Sequence, residues 1–186
     1  MKKRKVVIKI GYIIVLIIFS IYVILDTFVI GKAETIVKKV ETNSDKPIES
    51  TSTNESYEDE NIKINISTVT KYDTTIYIAD IQISSMDYLK TAFANSTYGR
   101  NIKQTTSDIA EENNAILAIN GDYYGFRNYG YVLRNGTIYR ENKNSSSSQE
   151  DLVIYSDGSF EIVNEFSTDI ENLLKNGALQ VFSFGP

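Results

Sequence analysis

With no histidine and no cysteine, any acid–base or nucleophilic chemistry in this chain must fall to carboxylates, tyrosines, lysines or arginines. The same absence excludes Ser-His-Asp and Cys-His nucleophile systems and histidine-bearing zinc sites. One stretch combines the remaining groups in a usable order. Asn120-Gly121-Asp122-Tyr123-Tyr124 follows directly on five apolar residues, 115–119. Asn-Gly accepts positive φ and so turns the chain sharply. A carboxylate just past the end of a rigid strand is a common way to hold a functional group, since the strand cannot move and the turn is exposed. Tyr123, Tyr124, Phe126, Tyr129 and Tyr131, spaced by Gly125 and Gly130, offer flat faces on which sugar rings stack. The plainer alternative is that Asn-Gly-Asp ends a strand and the tyrosines pack a sheet edge. Arg134 and Arg140 flank Asn135-Gly136; they face either an anionic ligand or solvent.

These groups need a scaffold, and the surrounding pattern predicts a β-rich one. The unbroken apolar run 115–119 predicts a central strand buried on both faces. Residues 62–66 alternate as a half-buried strand. Residues 75–83 predict an internal strand whose single charge, Asp80, is a minor site candidate, and Tyr72-Asp73-Thr74 predicts the turn between the two. Residues 86–93 predict a short helix or an irregular cover. Ser107 or Asp108 is expected to cap a short helix that ends at Asn113-Asn114. Residues 131–134 and 137–140 around Asn135-Gly136 predict a two-residue type I′ hairpin. A second hairpin joins 152–155 to 160–163 through Ser156-Asp157-Gly158-Ser159. Thr168 and Glu171 form a capping box before a helix over 169–175, and 179–184 predict a last strand, expected to lack partners.

The N-terminus is of another kind. Lys2, Lys3, Arg4 and Lys5 precede a run over 10–30 that is apolar except for Gly11, Ser20, Asp26 and Thr27. A bilayer core takes about 20 apolar residues as a helix. The basic cluster predicts a cytoplasmic N-terminus and an exported remainder. A cleaved signal peptide is the alternative, but its apolar core is shorter, roughly 7–15 residues, and Gly31-Lys32-Ala33 is a poor cleavage site. Five of the 19 basic residues and one of the 24 acidic ones lie in or before the span, leaving 14 against 23, a net −9, beyond it. Such a charge argues against nucleic acid as partner. Residues 32–60, rich in Glu, Lys, Ser, Thr and Asn, predict a disordered tether. The abundance of Asn, Ile and Lys without Trp suggests an AT-rich bacterial genome.

Taken in order, 115–124, Tyr77-Ile78-Ala79-Asp80-Ile81, residues 106–110, residues 130–136 and Ser183-Phe184-Gly185-Pro186 resemble the phosphodiester glycosidase family. This is the family of N-acetylglucosamine-1-phosphodiester alpha-N-acetylglucosaminidase and of bacterial exopolysaccharide-related proteins. The resemblance covers about residues 65 to 186. It implies hydrolysis of a sugar-1-phosphodiester at the anomeric carbon. By that resemblance Asp122 is the carboxylate beside the oxocarbenium-like centre or a metal ligand, and Asn120 orients it or the sugar hydroxyls. Gly121, Tyr123, Tyr124 and Arg134 are the substrate-binding candidates. The family domain continues past Phe-Gly-Pro into Asn-Pro-Arg-Thr, Asp-Gly-Arg and Asp-Gly-Gly-Gly-Ser segments that this sequence does not contain, so the domain is expected to be incomplete at its C-terminus and its activity is open.

The expectation is therefore an α+β protein: a β-rich domain of twisted sheet and hairpins with a few short helices, preceded by one transmembrane helix. Its parts are a basic N-terminus (1–9), a signal anchor (10–31), a linker (32–60) and a phosphodiester glycosidase-like domain (61–186). The expected setting is the cell membrane, single-pass, with the domain extracytoplasmic. The expected partners are a sugar-phosphate or polysaccharide substrate and the membrane. A divalent cation is compatible with the site, and nothing in the sequence requires one. The competing expectation is a catalytically inactive carbohydrate-binding half-domain.

Overall fold

The computed structural model describes residues 2–38 and 49–184. Its elements run α1 (Lys2–Phe28), β1 (Lys32–Ile36), β2 (Thr51–Ser52), β3 (Ser56–Glu58), β4 (Ile62–Lys71), β5 (Thr74–Ile83), β6 (Thr97–Arg100), α2 (Thr106–Glu112), β7 (Val132–Arg134), β8 (Thr137–Arg140), β9 (Glu150–Tyr155), β10 (Phe160–Asn164), α3 (Ile170–Lys175) and β11 (Ala178–Ser183). The chain is an α+β protein, rich in β, with one N-terminal helix long and apolar enough to cross a membrane over Val7–Phe28.

The strands form three sheets: β1-β6, β10-β9-β11-β7-β8 and β2-β3-β4-β5. The five-stranded sheet is the centre of the domain. Alternation along its strands sends side chains to two faces. One face gathers Tyr131, Leu133, Val153, Val163 and Val181 under Ile170 and Leu173 of α3. The other sets Val132 against Phe93 and Tyr98, with Tyr124 and Tyr139 packed around them. Val132, Leu133, Val153 and Val181 are fully out of water, each worth about 1.5–3 kcal/mol by area. The strand expected to lack partners, β11, lies between β9 and β7.

The hairpin at Asn135-Gly136 forms as the pair demands, with φ of 49° and 74°, the positive values of a type I′ turn. The β4–β5 turn uses Tyr72 and Asp73 at φ 52° and 54°. Both short helices start one residue away from the expected cap or further. Thr105 caps α2 by accepting from the Asp108 amide, and Asp169, not Thr168, caps α3 by accepting from the Asn172 amide at 3.0 Å.

Three expectations are corrected. Residues 115–119 form no strand, and Ile119 is 88% exposed. An apolar run becomes a strand only where a neighbour takes its backbone groups, and no strand pairs with it among the described residues. Second, 75–83 is not internal, because among the described residues β5 ends its sheet and pairs only with β4. Third, the stretch read as a tether contains strands: β1 pairs with β6, and β2 and β3 extend the sheet of β4. Strand pairing by a polar segment needs little apolar burial, so composition alone did not register it. The part of that stretch from 39 to 48 lies outside the described residues.

Candidate functional site

Asp122 is carried on the chain just before a 3-10 turn at Tyr124–Phe126, and it is turned inward. Its Oδ1 accepts from Arg134 Nη2 at 2.6 Å and its Oδ2 accepts from the Ser183 amide at 3.0 Å. The side chains of Arg134 and Asp122 are only 4% and 2% exposed. Two buried charges remain ionised only when they satisfy each other and their surroundings. Main chain takes a second nitrogen of the guanidinium: Arg134 Nη1 donates to the Leu133 carbonyl at 3.0 Å and to the Val181 carbonyl. The guanidinium also lies 4.5 Å from the centre of the Phe182 ring, close enough for a cation–π contribution.

Asp122 and Arg134 are thus brought together, twelve residues apart in sequence, by the sheet. Arg134 is the last residue of β7, β7 lies beside β11, and β11 delivers both the Val181 carbonyl and the Ser183 amide. The other candidates sit around the pair. Asn120 and Gly121 are exposed, and Gly121 approaches the Phe182 ring. Asn120 makes no hydrogen bond among the described residues, so the orienting role falls to Arg134 and Ser183. Tyr123 is 63% exposed, its ring 6.1 Å from that of Phe126. Tyr124 faces the opposite way, into the aromatic cluster, with ring centres 5.5 Å from Phe93 and 5.7 Å from Tyr98. Burial pushes its hydroxyl up to about 12, so Tyr124 stays neutral and acts as packing. Asp80 is exposed on β5 and has no part in this arrangement.

Arg140 does not face Arg134 across the hairpin, since Arg134 pairs with Thr137 and Arg140 with Val132. It donates to the carbonyls of Gly130, Tyr124 and Arg127 at 2.6, 3.0 and 2.6 Å, which ties the aromatic loop 124–130 to β8. Burial lowers its pKa.

Sequence reasoning missed a second buried polar group on the other face of β11. Asp151 and Glu165 are fully buried. Asp151 stands opposite Ser183 in β11 and Val163 in β10, and Glu165 follows β10 by one residue, its amide donating to Gln149 at 3.0 Å. Glu165 Oε1 accepts from the Asn144 amide at 2.7 Å. Among the described residues, Asp151 Oδ2, Glu165 Oε2 and Arg127 Nε have no hydrogen-bond partner. Burial first, and the Glu165 carboxylate second, push Asp151 up to about 7. Arg127 joins the two polar groups, donating to the Ser183 carbonyl at 2.8 Å and to its hydroxyl at 3.3 Å. The available signal was Asp151 at the head of the apolar run 152–155, in register with the core rather than with solvent. No group of three or more acidic residues among the described ones is arranged to hold a metal ion.

Compared with known protein families, with curated proteins and with solved structures, the chain matches none.

Proposed function

We propose that this chain is a membrane-anchored, extracytoplasmic domain that takes a sugar-1-phosphodiester of cell-surface polysaccharide metabolism at the 120–124 turn, in the manner of a phosphodiester glycosidase. The observation that carries the proposal is the buried Asp122–Arg134 pair at 2.6 Å, lying behind the exposed Asn120, Gly121 and Tyr123. Each component has a use in that chemistry. Tyr123 offers a ring face to the sugar, and the Asn120 amide offers both donor and acceptor to its hydroxyls. The guanidinium is the fork that matches a phosphate. In hydrolysis the bond between the anomeric carbon and the phosphate oxygen breaks, water supplies the new hydroxyl, and the phosphate leaves as a monoester. Asp122 has both oxygens engaged, so its carboxylate reaches the anomeric centre only if the substrate phosphate competes for Arg134. This ion-pair exchange is the step the reading requires.

Asp122 being 2% exposed favours a second reading, in which the pair only braces the turn and the domain binds carbohydrate without turning it over. Incubation of the full chain in detergent with an N-acetylglucosamine-1-phosphodiester separates the two. Release of free sugar that is lost in Asp122→Asn supports the hydrolase. Saturable glycan binding that is lost in Tyr123→Ala, without release, supports the binding domain. Neither release nor binding defeats both.

A further inference from the structure

The outer end of α1 is not joined to the domain by a flexible link. The helix ends at Phe28 and β1 begins at Lys32, paired to β6 through Lys32 with Arg100 and Ala33 with Gly99. Lys32 also forms an ion pair with Asp26 at 2.6 Å. Asn101, directly after β6, closes the junction from the other side. Its side-chain amide donates to the carbonyls of Thr27 at 2.9 Å and Ile30 at 3.2 Å, groups left without partners where the helix ends. Its backbone amide donates to the Gly125 carbonyl at 3.3 Å. One asparagine therefore bonds both the last turn of the membrane helix and the middle of the aromatic turn Tyr124–Phe126.

This geometry fixes where the aromatic loop must sit. With α1 across a bilayer, Thr27 and Ile30 lie at the outer edge of the hydrocarbon, and Gly125 is one residue's reach away, inside the headgroup layer. Phe126 is 65% exposed, and Tyr123 and Tyr129 beside it are also exposed. A phenylalanine ring gains by leaving water and is among the side chains that interfacial segments bury at the headgroup boundary, and tyrosine is enriched at this depth in membrane proteins. Arg100 and Lys103, which flank Asn101, have no ion-pair partner among the described residues and suit lipid phosphates at the same level.

We propose that the 125–129 loop is an interfacial membrane contact, with Phe126 inserted in the headgroup layer of the leaflet from which α1 emerges. The bilayer spanned by the chain's own anchor is the partner, because the surface is continuous with the end of that helix. The inference is independent of the sugar phosphodiester reading and stands whether or not the domain turns anything over.

The chain contains no tryptophan, so a single introduced one reports its surroundings without background. Full-length Phe126→Trp is reconstituted in phosphatidylcholine vesicles with and without brominated acyl chains. Phe160→Trp, 62% exposed at the start of the edge strand β10, serves as the solvent reference. The expected result is emission at shorter wavelength than the reference and several-fold stronger quenching by the brominated lipid. Emission and quenching equal to the reference would overturn the proposal. Tyr129→Trp, read against the same reference with the same criteria, decides the question should Phe126→Trp fail to fold.

Discussion

Arg134 is held by Asp122, two carbonyls and a ring, and removing its counter-charge leaves a cation in the sheet with nowhere to go. Asp122→Asn is therefore expected to cost about 3–5 kcal/mol, read as a lowered midpoint in denaturant. Arg134→Met should cost a similar amount, because it strands the carboxylate. Asp122→Asn combined with Arg134→Met should be less damaging than the two losses summed, since a pair without charge carries no ionic desolvation penalty. Additivity of the two singles would mean that the pair is not coupled. Asp151 behaves in the opposite sense. Its folded-state pKa of about 7 lies above the ordinary 3.8, so the folded protein holds the proton more tightly than the unfolded chain. The contribution of Asp151 to stability should be fully present below about pH 4 and be lost as pH rises through about 7. Asp151→Asn mimics the neutral acid. It should flatten the profile and exceed the native chain at pH 8 by on the order of 3 kcal/mol. A native melting temperature that does not change between pH 5 and pH 8 would contradict this assignment.

The elements differ in how much of them could be read from sequence, and the difference follows the range of the interactions that make them. Asn135-Gly136 and Ser156-Asp157-Gly158-Ser159 dictate their turns by local backbone preference, and both hairpins form where expected. The N-terminal helix is equally local, an apolar run long enough to cross a membrane. Residues 115–119 and 75–83 looked like interior strands because apolar runs report a demand for burial, not the presence of a neighbour that meets it. The site divides in the same way. Asp122 and Arg134 were legible as separate candidates from the turn and the hairpin. Their pairing was not, because it depends on β11 bringing Ser183 and Val181 alongside β7. For Asp151 and Glu165 the sequence carried only the position of Asp151 at the head of 152–155, since each reads as an ordinary strand-end acid until β9, β10 and β11 are in register. The β1–β6 pair tests how tightly one element depends on a missing side chain. A Cβ on Gly99 would lie 2.1 Å from the Lys32 carbonyl oxygen, which is backbone and cannot step aside. Gly99→Ala should separate the strands, at a cost of about 1–3 kcal/mol, and expose the segment around Lys32 to trypsin. Unchanged cleavage would mean that β1 is not seated on β6.

At the scale of the whole molecule, contacts run without a break from the N-terminal apolar helix to the candidate site. The helix α1 ends at a junction clamped by Asn101 and by β1 on β6. The aromatic loop rises from that junction, Arg140 ties the loop to β8, and Arg134 of the neighbouring strand holds Asp122 behind the exposed Asn120 and Tyr123. A domain mounted this way would meet substrates at a fixed height above the membrane, which suits polymers attached to or assembled at a cell surface. The most direct test of the account is the release of free sugar and phosphomonoester from an N-acetylglucosamine-1-phosphodiester by the full chain, compared with folded Asp122→Asn. The account predicts release by the native chain and a loss of at least about 100-fold in the variant, as expected when a carboxylate acting at the reacting centre is removed. Release that persists in Asp122→Asn would contradict it.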